Sequence, residues 1–219
     1  MRPLLPLLTA IVLLGSGCAT IHGYTVRESR SAETRRVGEI LDPLFAVLEL
    51  PSLRAMGASD CKIGFAVVRT AKVNVWSTPG TSAPCLHFSL FVTEGALAAP
   101  TDELTAMIAH ELGHLMLQHT PQSDRQTALS SERWLTIQRQ ELEADRFAVA
   151  LLRRLPPTSQ VPCEVMGRFL RRGAADWYGD DISPRMEAAV SERAVSADAA
   201  CASAEVSLPR RVTPVSLVP

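Results

Sequence analysis

The stretch His110-Glu111-Leu112-Gly113-His114 places two histidines four residues apart inside a run with the apolar periodicity of an amphipathic helix. On such a helix the two imidazoles sit about 40° apart around the axis, so both can reach one metal ion. The intervening Glu111 is placed to take a proton from a water at that ion. The pattern points to a zinc-dependent hydrolase with Glu111 as the catalytic base.

Zinc hydrolases use three protein ligands and keep a further position open. His110 and His114 supply two. The extended pattern H-E-x-x-H-x-x-G-x-x-H is excluded, because Leu117 and Thr120 stand where its glycine and last histidine belong. His119, five residues beyond His114, falls about 140° round an extended helix and is expected at the surface. The better source is Glu141-Leu142-Glu143-Ala144-Asp145 on a later helix. Glu141 and Asp145 are four apart on one face, so Glu141 is the expected third ligand. Asp145 then stands behind a histidine ligand and holds its ring by the other nitrogen. Glu143 points about 200° away from Glu141 and is not expected to ligate.

The first residues read as an export signal. Arg2 precedes a short apolar run from Leu4 to Leu14, too short to span a membrane. Leu14-Gly15-Ser16-Gly17-Cys18 resembles the lipobox of bacterial lipoproteins, with Gly15 where leucine is more usual. The resemblance implies cleavage before Cys18 and lipidation of its thiol. Ala19 and Thr20 follow without an aspartate, which in such lipoproteins directs the chain to the outer membrane, facing the periplasm. The remaining cysteines, Cys61, Cys85, Cys163 and Cys201, are even in number and lack C-x-x-C spacing, so two disulfides are expected. A net charge of −1 gives neither a basic face for nucleic acid nor a polybasic patch for lipid. No nucleotide-binding loop is present.

Along the chain, Val37, Ile40, Leu41, Leu44, Phe45 and Leu48 recur at helical spacing, with Pro43 as a kink and Asp42 as a cap. Short β-branched runs at 63–68, 72–76 and 86–93 suggest a three-stranded antiparallel meander. In a meander Cys61 and Cys85 lie at one end of the sheet, which favours the pairs Cys61–Cys85 and, by elimination, Cys163–Cys201. The motif helix is expected from Thr101 to about Thr120, a second from about Gln126 to Leu155, and a third over Glu164 to Arg172. With 47% apolar residues, one domain with a real core is affordable. The division is a signal peptide over 1–17, a lipidated tether over 18–36, the domain over 37–190, and a poorly ordered Ala/Ser/Pro-rich tail over 191–219.

At this point the chain resembles the HtpX and CAAX prenyl protease type of zinc metallopeptidase, a gluzincin group defined by HExxH on one helix and ExxxD on a later one. Here these are His110–His114 and Glu141–Asp145. Val73-Asn74-Val75-Trp76, Phe91 to Leu97, Asp102-Glu103-Leu104 and Glu141 to Ala148 extend the similarity, which covers roughly residues 35 to 190. The chain departs from that group at Ser183, where a histidine before Pro184 is usual; Tyr178 and Arg185 are the nearby candidates to replace it.

The resemblance implies one zinc per chain and proteolysis of periplasmic or outer-membrane proteins in quality control. It also implies a substrate aligned along an edge strand near Lys72–Trp76. The competing expectation is a lipoprotein that binds unfolded or assembling envelope proteins with little or no cleavage. The expected architecture is α+β, a helical zinc-metallopeptidase domain with a small antiparallel sheet beside the HExxH helix.

Overall fold

Val37, Ile40, Leu41, Leu44 and Phe45 do line the buried face of one helix, α1 (Ser31–Val47), in the computed structural model. That structure describes residues 19–21, 24–52, 63–79, 88–119, 131–159, 161–178, 183–203 and 208. Pro43 sits inside α1, and Asp42 lies within the helix and not at its cap. The helix ends at Leu48, well before Pro51. There Glu49 takes a left-handed φ of 56° and the Leu50 amide returns to the Phe45 carbonyl at 2.9 Å.

Five strands form one sheet: β1 (Ala19–Ile21), β2 (Tyr24–Glu28), β3 (Ile63–Val68), β4 (Val75–Pro79) and β5 (Phe88–Thr93). Their order is β1-β2-β3-β5-β4. The β3 and β5 strands run parallel, with Ile63 opposite Phe88 and Val68 opposite Thr93, and the other pairings are antiparallel. This corrects two expectations. The sheet is mixed rather than antiparallel, and residues 19–21 and 24–28, expected in a tether, are strands within it.

A short connection decides the first point. Thr70 to Lys72 crosses the end of β5, where the Gly95 amide bonds the Thr70 carbonyl at 3.1 Å. A Cβ at Gly95 would stand 2.2 Å from the Ala71 carbonyl oxygen, so only glycine lets the crossing pass. Thr93 then locks the far side: its hydroxyl lies 3.0 Å from both the amide and the carbonyl of Asn74. The crossing carries β4 over to the outer side of β5, where a meander would have left it in the middle. Alternation of apolar residues shows which face of a strand is buried, but it does not name the neighbour.

The helical part follows. Helix α2 (Glu94–Ala98) is one short turn capped by Thr93, and α3 (Thr101–Met116) carries the first motif. The remaining helices are α4 (Ser131–Leu152), α5 (Val165–Tyr178) and α6 (Pro184–Ala202). Leu104, Ile108 and Leu112 of α3, Leu151 and Leu152 of α4, and Met166 and Leu170 of α5 are fully buried together. Each contributes about 1.5–3 kcal/mol by leaving water.

Over residues 191–202, part of the expected tail, the chain is instead helix α6. Ala189, Val190, Ala194, Ala197 and Ala200 are buried along it, and a Cys163–Cys201 disulfide ties its end to the segment before α5. Small side chains on this face let it lie close to its neighbours. Cys18, Cys61 and Cys85 lie outside the described residues, as do the signal segment and most of the last residues. Among the described residues, no helix is long and apolar enough to cross a membrane.

Candidate metal centre

Two helices meet at the first motif because a glycine lets them. Gly113 faces α4, where an added Cβ would lie 3.0 Å from the Ala144 carbonyl oxygen and 3.1 Å from its Cα. Any side chain here would push α4 away. Ala144 lies between Glu141 and Asp145, so this close approach brings the second motif against the first.

The approach gathers the three expected ligands. His110 Nε2 and His114 Nε2 are 3.0 Å apart, and Glu141 reaches them at 3.4 Å and 3.6 Å through its two carboxylate oxygens. A tetrahedral zinc ion with bonds near 2.1 Å separates neighbouring ligand atoms by about 3.4 Å. The donor set and its spacing therefore fit such an ion, with two imidazoles and one carboxylate.

Each histidine is held from behind. Asp145 Oδ1 lies 2.8 Å from His110 Nδ1, so Asp145 stands behind this histidine and not His114. Asp145 is fully buried. It is gripped by Arg193 of α6, whose Nε and Nη2 donate to its two oxygens at 2.7 Å and 2.9 Å. The third nitrogen, Nη1, lies 2.9 Å from Glu141 Oε2. One guanidinium thus spans both carboxylates of the second motif.

The charges settle accordingly. Burial alone would raise Glu141 and Asp145, but Arg193 prevails, aided by His110, and holds both below the ordinary carboxylate range. Burial would lower His110, yet the Asp145 and Glu141 carboxylates beside it push it up to about 10. The His114 imidazole is pushed down to about 3, by burial first and by the neighbouring His110 charge second. Without a metal, the histidine pair therefore carries one positive charge at neutral pH, on His110, while His114 stays a neutral imidazole.

Glu111 turns towards the sheet. Its Oε2 accepts from the Ser77 amide at 2.8 Å and from the Ser77 hydroxyl at 2.9 Å. Burial pushes its carboxyl up to about 7, against the nearby His110 charge and the Ser77 hydrogen bonds. Ser77 belongs to β4, the outer strand of the sheet on this side. The edge strand expected over 72–76 thus runs from Val75 to Pro79.

Two residues behave differently from expectation. His119 was expected at the surface, pointing away; instead its Nδ1 lies 3.0 Å from His114 Nδ1, and its side chain is almost covered. Helix α3 ends at Met116, so a helical wheel continued to residue 119 does not apply. Arg193 fell in the expected tail and was missed. The signal for it was present, since Ala189, Val190, Ala194 and Ala197 continue a helical period whose buried face includes residue 193. Ser183 caps α6, its hydroxyl accepting from the Met186 amide at 3.3 Å. Arg185 is exposed, its guanidinium 4.7 Å from the centre of the Trp134 ring. The Tyr178 side chain is not among those described.

In comparison with known proteins, no family model matches the chain, and neither a curated protein nor a solved structure does.

Proposed function

We propose that the chain is a zinc-dependent endopeptidase of the HtpX and CAAX prenyl protease type. In this reading it is held at the outer membrane by a lipid on Cys18 and cleaves envelope proteins as part of quality control. The observation that carries the reading is the convergence of three donor groups: His110 Nε2 and His114 Nε2 lie 3.0 Å apart, with Glu141 Oε2 3.4 Å from the first and Glu141 Oε1 3.6 Å from the second. Those separations match the edges of a tetrahedral zinc site, about 3.4 Å. A zinc ion held there supplies Lewis acidity, polarising a peptide carbonyl and making a water acidic at neutral pH.

The chain's own groups perform the remaining work. Glu111, raised to about 7, is poised to take a proton from the attacking water and return it to the leaving amine. Asp145 orients His110, and Arg193 keeps Asp145 and Glu141 ionised. Strand β4 pairs with β5 on one side only, among the described residues, so its other edge offers backbone groups to an extended peptide. Ser77 joins that edge to Glu111, which brings a peptide lying along β4 close to the proton acceptor.

The test is a pair of measurements on the wild type and on Glu111→Gln: zinc content and casein cleavage. The wild type is expected to bind one zinc and to cleave in a chelator-sensitive way. The variant is expected to keep the zinc and lose at least 100-fold in cleavage, roughly the share a positioned acid–base group supplies. Undiminished cleavage in the variant would overturn the role of Glu111. Absence of zinc from the wild type would overturn the reading itself.

A further inference from the structure

Helix α3 closes in a way that returns the chain onto its own last turn. Leu117 ends the helix and Gln118 takes a left-handed φ of 55°. The Gln118 amide bonds the Leu115 carbonyl at 3.2 Å, and the His119 amide bonds the His114 carbonyl at 2.9 Å. This pair of bonds is a Schellman closure, here with glutamine in place of the usual glycine. It folds residue 119 back beside residue 114. His119 Nδ1 then lies 3.0 Å from His114 Nδ1, and His119 Nε2 lies 3.1 Å from Glu143 Oε2 on α4. The His119 side chain is 6% exposed and that of Glu143 is 47% exposed.

We propose that His119 and Glu143 are positioning residues for His114, fixing its tautomer and ring plane so that Nε2 stays aimed at the metal. The inference rests on the zinc reading above and deepens it by assigning the second histidine its outer partners. The chemistry leaves one consistent arrangement. A neutral imidazole carries one N–H. His114 Nε2 faces His110 and Glu141, so as a ligand it needs its lone pair there and its proton on Nδ1. That N–H donates to His119 Nδ1, which must be bare. His119 then carries its proton on Nε2 and donates it to the Glu143 carboxylate. Each hydrogen bond dictates the next, and no proton changes owner.

Glu143 is therefore set two residues from Glu141 for a reason. On α4 the two carboxylates point to different sides, one to the metal and one to the back of His114 through His119. A divalent cation coordinated by two imidazoles and a carboxylate gains a ligand ring that cannot rotate away.

The experiment uses the full chain with zinc alone as the probe. Zinc affinity is measured by chelator competition for wild type, His119→Leu, His119→Gln and Glu143→Gln. Nitrogen-15 imidazole spectra of the zinc-loaded wild type report the tautomers, and melting of the metal-free proteins checks folding. His114 is expected as the Nδ1–H form and His119 as the Nε2–H form. His119→Leu is expected to loosen zinc by roughly 10- to 100-fold. His119→Gln should recover most of that loss, because its amide oxygen can accept from His114 Nδ1–H. Glu143→Gln, at an exposed site that tolerates change, should loosen zinc about 2- to 5-fold. Unchanged affinity in His119→Leu, or a zinc-loaded His119 protonated on Nδ1, overturns the inference while leaving the zinc reading intact. A glutamine variant that folds but binds no better than leucine overturns it as well. A wild type that takes up no zinc overturns both together.

Discussion

The two histidines of the centre are one turn apart on the same helix, yet their back sides are built differently. Behind His110 stands Asp145, fully buried and clamped by Arg193 from a helix 48 residues further along the chain. Behind His114 stands His119, five residues away, and then Glu143 at the rim. The first support is ionic, dry and long-range; the second is neutral at its inner link, local, and open to water at its outer end. A buried carboxylate is tolerated only with a partner that cancels its charge, whereas a rim carboxylate is solvated and screened. The difference teaches that the inner side carries buried charge the fold must balance, whereas the outer side adds only one screened carboxylate.

The largest expected effect breaks the inner side. Arg193→Leu leaves Glu141 and Asp145 buried with only the His110 charge between them, and should destabilise the metal-free protein by about 3–5 kcal/mol in denaturant unfolding. A loss below about 1 kcal/mol would mean that the two carboxylates are solvated and that the contrast between the sides is false. A gentler change, Asp145→Asn, keeps the shape and removes the charge. Chelator competition should then show zinc held roughly 10- to 100-fold less tightly, and an unchanged affinity would reassign the orientation of His110 to other contacts.

The next effect is one of pH. Since His110 holds its proton up to about 10 in the metal-free protein, zinc must expel that proton to bind. Lowering the pH therefore weakens binding and raising it strengthens binding, about tenfold per unit through the neutral range. Calorimetry in buffers of different ionisation enthalpy should count about one proton released per zinc. Asp145→Asn should reduce that count, because it removes the first charge that keeps the proton on His110. The smallest effect lies outside. Raising salt from about 0.05 to 0.5 M should erode the loss of zinc affinity caused by Glu143→Gln, because exposed charges are screened within about 10 Å or less. The Asp145→Asn loss should persist in the same salt series.

The proposed ligands themselves were legible in the chain. A spacing of four residues places two side chains on one helical face whatever the rest of the molecule does, so His110 with His114, and Glu141 with Asp145, are local facts. The buried alternation in Phe88, Leu90 and Val92 was local in the same sense. Of the groups behind them, Asp145 was legible, but His119 and Arg193 were not. His119 was assigned to the wrong side because α3 was taken to run on to residue 120, and the left-handed turn at Gln118 has no glycine to announce it. Arg193 sits on a helical period that can be read in the chain, but the small residues around it read as a weak core-former, although an alanine face is what allows two helices to lie close.

What the sequence by itself determined is a helix with two histidines on one face, a second helix with two acids on one face, and the residue types suited to zinc. Periodicity does this because helix geometry is the same everywhere. Only the tertiary structure decided which faces meet, that β4 is carried across β5 to the edge beside Glu111, and that Asp145 lies behind His110 while His119 and Glu143 lie behind His114. Those outcomes depend on contacts between segments far apart in the chain, such as Gly113 against Ala144 and Gly95 against Ala71. No local pattern encodes which distant surface a given face will find.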